Sequence, residues 1–257
     1  LSDAQGIETC TIVVPCYNEE RRLDQTAFLG LSEVDGINLL FVDDGSSDAT
    51  KVMLSAMADR SESIQALILT KNVGKGNAVR AGVLAAIEGG AAMVGFLDAD
   101  LATPPQEMLR LVDVLRDRPE LSVVMGSRVK RLGSHIERRA ARHVIGRAFA
   151  SCASLALGIP VYDSQCGAKV MRLSAAMREA FRDPFRSSWS FDARLIMRLM
   201  TGSSNVPGLS VEAFCEIPLD EWKAVPGSKL RWSNGLRALV DITLVAVARR
   251  RHGRRSR

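Results

Sequence analysis

Five short apolar runs, each followed within a few residues by acids, glycines or lysines, set the tightest limit on how this chain folds. They lie at residues 11–14, 39–42, 66–69, 93–97 and 123–126, recurring about every 25–30 residues, with helix-patterned segments between them. Strands buried on both faces and joined by amphipathic helices are the signature of parallel βαβ units. The pattern predicts an α/β protein: a mostly parallel, doubly wound sheet flanked by helices.

The helices have readable ends. Ser47 or Asp48 is expected to cap a helix with Val52, Met53, Ala56 and Met57 on its inner face. Val79, Val83, Ala86 and Ile87 mark a second, closed by Gly89-Gly90. Thr103-Pro104-Pro105-Gln106 reads as a third start, with Thr103 as N-cap, Pro104 at the first helical position and Gln106 completing a capping box. Met108, Leu111, Val112 and Leu115 form its apolar stripe. After Gly126 the rhythm changes, and further elements are expected at 163–171, 189–199 and 216–222. A final helix is expected over 234–250, with Leu236, Leu239, Val240, Leu244 and Val247 on one face.

In open parallel sheets ligands bind beyond the carboxyl ends of the strands. Here those ends read Pro15-Cys16-Tyr17-Asn18-Glu19-Glu20, then Asp43-Asp44-Gly45-Ser46-Ser47, then Thr70-Lys71-Asn72-Val73-Gly74-Lys75-Gly76, then Asp98-Ala99-Asp100. On a strand, residues i and i+2 face the same way, so Asp98 and Asp100 aim at one point. Two such oxygens suit Mg²⁺ or Mn²⁺, which also takes oxygens from water and phosphate. Taken alone, the pair fits an ordinary acidic loop equally well. Gly74-Lys75-Gly76 lacks the third glycine of the dinucleotide fingerprint and no P-loop is present, which argues against dehydrogenases and P-loop NTPases.

Composition narrows the partners. Five cysteines (10, 16, 152, 166 and 215) never form CxxC, and with three histidines no zinc cluster is expected; reduced thiols in a cytoplasmic setting are. No apolar run reaches transmembrane length, and the polar first ten residues hold no signal-peptide core. Six arginines lie within residues 249–257; taking them from the net +5 leaves the rest of the chain at −1. Residues 128–147 add seven more basic side chains. Both segments fit either a solvated face or an anionic lipid or phosphate surface. With two tyrosines and no aromatic-basic interleaving, no nucleic-acid partner is expected.

With these motifs in order, the chain resembles family 2 glycosyltransferases of the GT-A fold, the nucleotide-diphospho-sugar transferases, over nearly its whole length. Gly126-Ser127-Arg128, residues 163–169 (Asp-Ser-Gln-Cys-Gly-Ala-Lys), Trp189-Ser190-Phe191-Asp192, Glu221-Trp222 and Gly227-Ser228-Lys229-Leu230 are similar to the dolichyl-phosphate sugar synthases, above all the β-glucosyltransferases. Two departures stand out. No apolar anchor like that of the eukaryotic glucosyl enzymes precedes the first strand of this sequence. Ala102 also stands where mannosyl synthases place a glutamine metal ligand.

The resemblance implies a catalytic domain over 1–230 and a C-terminal amphipathic helix with basic tail over 231–257, a membrane-surface contact. It implies transfer of a hexose, glucose from UDP-glucose, to a polyprenyl phosphate with inversion, and a peripheral enzyme on the cytoplasmic face. A GDP-mannose-dependent polyprenyl-phosphate mannosyltransferase and a transferase to a glycan hydroxyl are the alternatives; a non-enzymatic nucleotide-sugar-binding module is the rival outside enzymes. Asp98 and Asp100 would hold Mg²⁺ or Mn²⁺. Pro15, Tyr17, Glu19, Asp43, Lys75 and Asp98 would meet the donor, with Lys71 an alternative source of charge. Arg128, Arg131 and Lys229 would meet the acceptor phosphate. Asp44 is expected to support the turn into Gly45. Asp192 would orient cations or sugar, serve as base for a hydroxyl acceptor, or form a structural salt bridge.

Overall fold

The computed structural model describes residues 8–137, 154–155, 158–185 and 191–225. Strands β1 (Cys10–Cys16), β2 (Ile37–Asp43), β3 (Ile64–Ile68), β4 (Met93–Leu97) and β5 (Val123–Ser127) alternate with helices α1 (Gln25–Ser32), α2 (Thr50–Ala58), α3 (Lys75–Glu88) and α4 (Pro105–Asp117). Then follow β6 (His135–Glu137), β7 (Ala168–Arg172), α5 (Ala175–Arg182), α6 (Phe191–Thr201), β8 (Phe214–Pro218) and β9 (Glu221–Lys223). The main sheet runs β3-β2-β1-β4-β7-β5-β8, and β6 pairs with β9 beside it. Within the main sheet β7 alone is antiparallel to its neighbours, β4 and β5.

The alternation of side chains along each strand divides the core in two. Val13, Val42 and Phe96 face α3, α5 and α6. Ile12, Val14 and Phe41 face α1, α2 and α4. Burial on both faces explains why the strands read as continuous apolar runs. α3 presses close: a Cβ at Gly82 would meet Val13 Cγ1 at 2.4 Å and Val42 Cγ2 at 2.8 Å. With β2 on one side of β1 and β4 on the other, the chain reverses direction across the sheet here, which opens a crevice beyond the β1 and β4 ends.

Two helix expectations need correction. Helix α2 buries Thr50, Leu54 and Met57, whereas Val52 is 70% exposed and Ala56 is also exposed. The stripe facing the sheet lies one side further round than Val52 and Ala56. Its cap is Ala49, although Asp48 Oδ1 does accept from Thr50 N at 3.0 Å. Helix α4 begins at Pro105, with Pro104 as N-cap, so the box built on Thr103 and Gln106 does not form. A residue preceding proline is pushed out of the helical region, and that rule removes Pro104 from the helix. The stripes of α3 and α4 are buried as expected, and Gly90 follows α3 at φ 77°. The basic residues from 138 to 147, Trp189-Ser190, Lys229, and the whole 231–257 segment lie outside the described residues.

Candidate functional site

The ends of β1 and β2 are stitched together by their own loops. Asn18, at φ 50°, donates its backbone N–H to Ser46 Oγ at 2.9 Å, and its side-chain oxygen accepts from Ser47 N at 2.8 Å. Glu19 N donates to Thr50 Oγ1 at 2.8 Å, and the Glu19 carboxylate pairs with Arg22 at 2.6 Å. Pro15 lies in β1 opposite Val42, and Tyr17 presents its ring at the surface, 36% exposed. Asp43 is buried; its Oδ2 accepts from Ser46 N at 3.3 Å, while Oδ1 is buried with no hydrogen-bond partner among the described residues. A buried carboxylate oxygen without a donor is costly unless a ligand supplies one.

Asp44 does more than shape its own turn. Its Oδ1 accepts from Val73 N at 2.7 Å and its Oδ2 from Gly74 N at 3.0 Å, which ties the β2 loop to the loop before α3. Burial pushes its carboxyl above the ordinary range, and the two N–H donors oppose that. Gly45, at φ 68°, lets the loops touch: a Cβ there would lie 2.6 Å from the Lys71 carbonyl carbon. Lys71 itself is exposed.

The clamp delivers Lys75 to the acids beyond β4. Lys75 Nζ lies 2.5 Å from Asp98 Oδ1. Burial alone would lower the lysine's pKa, but the charges of Asp98, Asp192 and Asp100 outweigh it and push the value up. Asp100 Oδ1 accepts from Ala102 N at 3.1 Å. Burial first, and the charge of Asp98 second, raise the Asp100 carboxyl. Asp98 is packed against the backbone of Gly167, where a Cβ would stand 2.3 Å from Asp98 Oδ2.

Behind the acids lies an ion pair in the core. Lys169 Nζ, on β7, is 2.5 Å from Asp192 Oδ1 and 2.5 Å from the Cys166 carbonyl. The two side chains are 1% and 8% exposed. Asp192 is therefore in a salt bridge. To one side, Arg128 grips Asp163 with Nε at 2.6 Å and Nη2 at 2.8 Å, and stacks 5.3 Å from the Trp222 ring. Burial opposes the guanidinium charge, but Asp163 more than restores it. Glu216 in turn accepts from the backbone N–H groups of Tyr162 and Asp163 at 2.7 and 2.6 Å. Arg131 pairs with Asp220 at the surface.

The structure thus brings Lys75, Asp98, Asp100 and Asp192 together and sets Arg128 within electrostatic reach of Asp98, while Asp43 stands at the end of β2, with β1 between it and β4. Sequence reasoning assigned no role to Asp163, Lys169, Gly167 or Glu216. Lys169 did carry a signal, since a lysine inside an apolar strand needs a buried partner. Among the described residues no group of three or more His, Cys, Asp or Glu side chains gathers as a metal cage. Two hard carboxylates, one disfavoured as an anion by burial and then by the other, nonetheless fit Mg²⁺ or Mn²⁺, which binds through one or two carboxylates plus substrate phosphates.

A mostly parallel sheet that reverses its order, with acids at its strand ends, is compatible with the GT-A glycosyltransferase fold. The fold superposes on glucosyl-3-phosphoglycerate synthase from Mycobacterium tuberculosis, solved with Mn²⁺, UDP and glucosyl-3-phosphoglycerate, at TM-score 0.68 and 17% identity, over 94% of this chain and 80% of that one. The chain belongs to glycosyl transferase family 2, whose family model matches residues 11–178. A dolichyl-phosphate β-glucosyltransferase of Trichomonas vaginalis is 29% identical over 250 residues, 92% of this chain and 70% of the relative. An undecaprenyl-phosphate 4-deoxy-4-formamido-L-arabinose transferase of Sodalis glossinidius is 35% identical over 143 residues, 54% of this chain and 42% of the relative. The expected fold and transferase class hold.

Proposed function

We propose that the protein transfers glucose from UDP-glucose to the phosphate of a polyprenyl lipid, inverting the anomeric carbon to leave a β-linked product. The observation that carries this reading is the crevice itself. A buried acceptor oxygen on Asp43 waits for a donor, and Asp98, Asp100 and Lys75 lie together at the neighbouring strand ends. The relatives support it: a dolichyl-phosphate and an undecaprenyl-phosphate enzyme share the acceptor class and differ in the sugar.

Each residue has a task that its surroundings allow. Asp43 Oδ1 accepts a hydrogen bond from the base or ribose, and Tyr17 lies against the base beside Pro15. Asp98 and Asp100 would hold Mg²⁺ or Mn²⁺, which when bound would supply Lewis-acid neutralisation of the leaving diphosphate. Lys75 adds positive charge next to the same phosphates. A polyprenyl phosphate is already an anion, so the reaction needs no strong general base. Asp192, with Oδ1 held by Lys169, orients that cation and the first turn of α6. Arg128, pinned by Asp163 and Trp222, is a preset cation for the incoming phosphate, and Arg131 offers a second at the surface; Lys229, assigned from the sequence motif alone, is the third proposed cation.

Supplying UDP- and GDP-sugars with a polyprenyl phosphate, and reading lipid-linked product by mass, tests the assignment. A hexose-phosphate lipid from UDP-glucose is expected; no lipid product from any donor rejects it.

Among the described residues no helix is long and apolar enough to cross a membrane. We assign the bilayer contact, on its cytoplasmic face, to the basic residues after β5 and to the arginine tail. Leu132 is fully exposed beside Lys130 and Arg131. Each basic residue near an anionic surface contributes about 1 kcal/mol. Removing residues 249–257 should therefore reduce sedimentation with acidic liposomes at low salt. Undiminished binding would remove the tail from this role.

A further inference from the structure

We infer that Lys75 is the resident counter-ion of Asp98: in the nucleotide-free protein its ammonium holds the carboxylate, and it yields to a divalent cation only as a donor diphosphate takes up the ammonium. The inference rests on the reading of Asp98 and Asp100 as metal ligands and specifies how that site is loaded.

Lys75 has no local reason to be where it is. It is the first residue of α3, whose first turn contains no acid. The positive end of a helix dipole disfavours a cation there. What holds the residue in place is built from outside the helix. Asp44 binds the two preceding amides, Gly74 takes φ 85°, and Gly76 sits so close to Phe191 that a Cβ would be 2.6 Å from that ring's own Cβ. The backbone is pinned on both sides of Lys75, while its side chain remains 39% exposed. A lysine is a point charge on a flexible stem, so the head can swing while its base stays fixed.

The surrounding charges give that swing a direction. Lys75 feels Asp98, Asp192 and Asp100 together, yet Lys169 already sits on Asp192. Asp98 is where the Lys75 ammonium makes contact, at 2.5 Å. A divalent ion approaching Asp98 meets an oxygen already neutralised and a positive charge beside it. Without a new anion, displacing the ammonium costs that ion pair. The diphosphate of a donor provides such an anion within the same crevice. Metal and nucleotide therefore bind with positive coupling, and by linkage each strengthens the other equally.

The test measures Mn²⁺ binding from the EPR signal of the free aqua ion, with the full chain, first with Mn²⁺ alone and then with UDP. Lys75→Met should bind Mn²⁺ alone about tenfold more tightly than the wild type, because a neutral side chain no longer competes or repels. UDP should then tighten Mn²⁺ binding less in Lys75→Met than in the wild type. Lys75→Arg, which keeps the charge, should stay near the wild type, and Lys75→Gln repeats the comparison if the methionine variant melts early. Mn²⁺ binding to Lys75→Met and Lys75→Gln no tighter than to the wild type overturns the exchange while leaving the metal site intact. Absence of Mn²⁺ binding in every protein even with UDP overturns the metal site, and the exchange with it.

Discussion

Lys169→Met should lower the free energy of unfolding by about 3–5 kcal/mol, one of the largest losses a single substitution can cause here. Lys169 is 1% exposed as the second residue of β7, with its ammonium on Asp192, on the Cys166 carbonyl and 5.1 Å from the Phe96 ring. Methionine fills the stem's volume but removes the charge. It leaves a carboxylate, 8% exposed, and a carbonyl that have lost their shared donor. Water cannot replace the ammonium without opening the contact between α6 and the sheet. The double variant Lys169→Met/Asp192→Leu, which removes both charges, should recover part of the loss, since a buried pair is worth much less than either half of it alone. Denaturant melts of the two singles and the double check this. A single-variant loss below about 1 kcal/mol would mean that the pair is solvated and not part of the core.

That ion pair also marks where the sequence stops being legible. Strand β4 could be read residue for residue, because five buried residues, four apolar side chains and Gly95, end sharply at Asp98. The strand-end motifs by themselves put Asp43, Lys75, Asp98 and Asp100 beyond the carboxyl edge of a parallel sheet. What periodicity does not carry is pairing. Nothing in residues 168–172 says that β7 enters between β4 and β5 in the opposite direction. That insertion brings Gly167 onto Asp98 and Lys169 under Asp192. Arg128 could be singled out as a cation near the site, but its forked bond to Asp163 joins residues 35 apart in the chain. Local rules also compete with one another. Thr103 satisfied the pattern of an N-cap, and the two prolines after it overruled that pattern.

Asp98→Asn should abolish Mn²⁺-dependent UDP binding and reduce sugar transfer by about 10²–10³-fold or more, since it removes one of two anionic oxygen ligands and keeps the size of the side chain. Lys75 loses its partner in the same variant, so its stem should become more mobile and the diphosphate less well held. Gly167→Ala reaches the same carboxylate without touching its chemistry. The added methyl would lie 2.3 Å from Asp98 Oδ2, with the Asp98 carboxyl carbon at 2.5 Å, so either Asp98 turns away or the β7 loop backs off. Displacing a ligand through its supporting contacts typically weakens metal binding by about 10–100-fold, less than removing the ligand. Calorimetry of UDP with and without Mn²⁺ should therefore rank the proteins as wild type, then Gly167→Ala, then Asp98→Asn. Gly30→Ala, in α1 where a Cβ meets nothing within 4 Å, should bind like the wild type. Full Mn²⁺-dependent UDP binding by Asp98→Asn would show that the ion is held elsewhere. Unaltered binding by Gly167→Ala alone would show that the loop gives way before the carboxylate does.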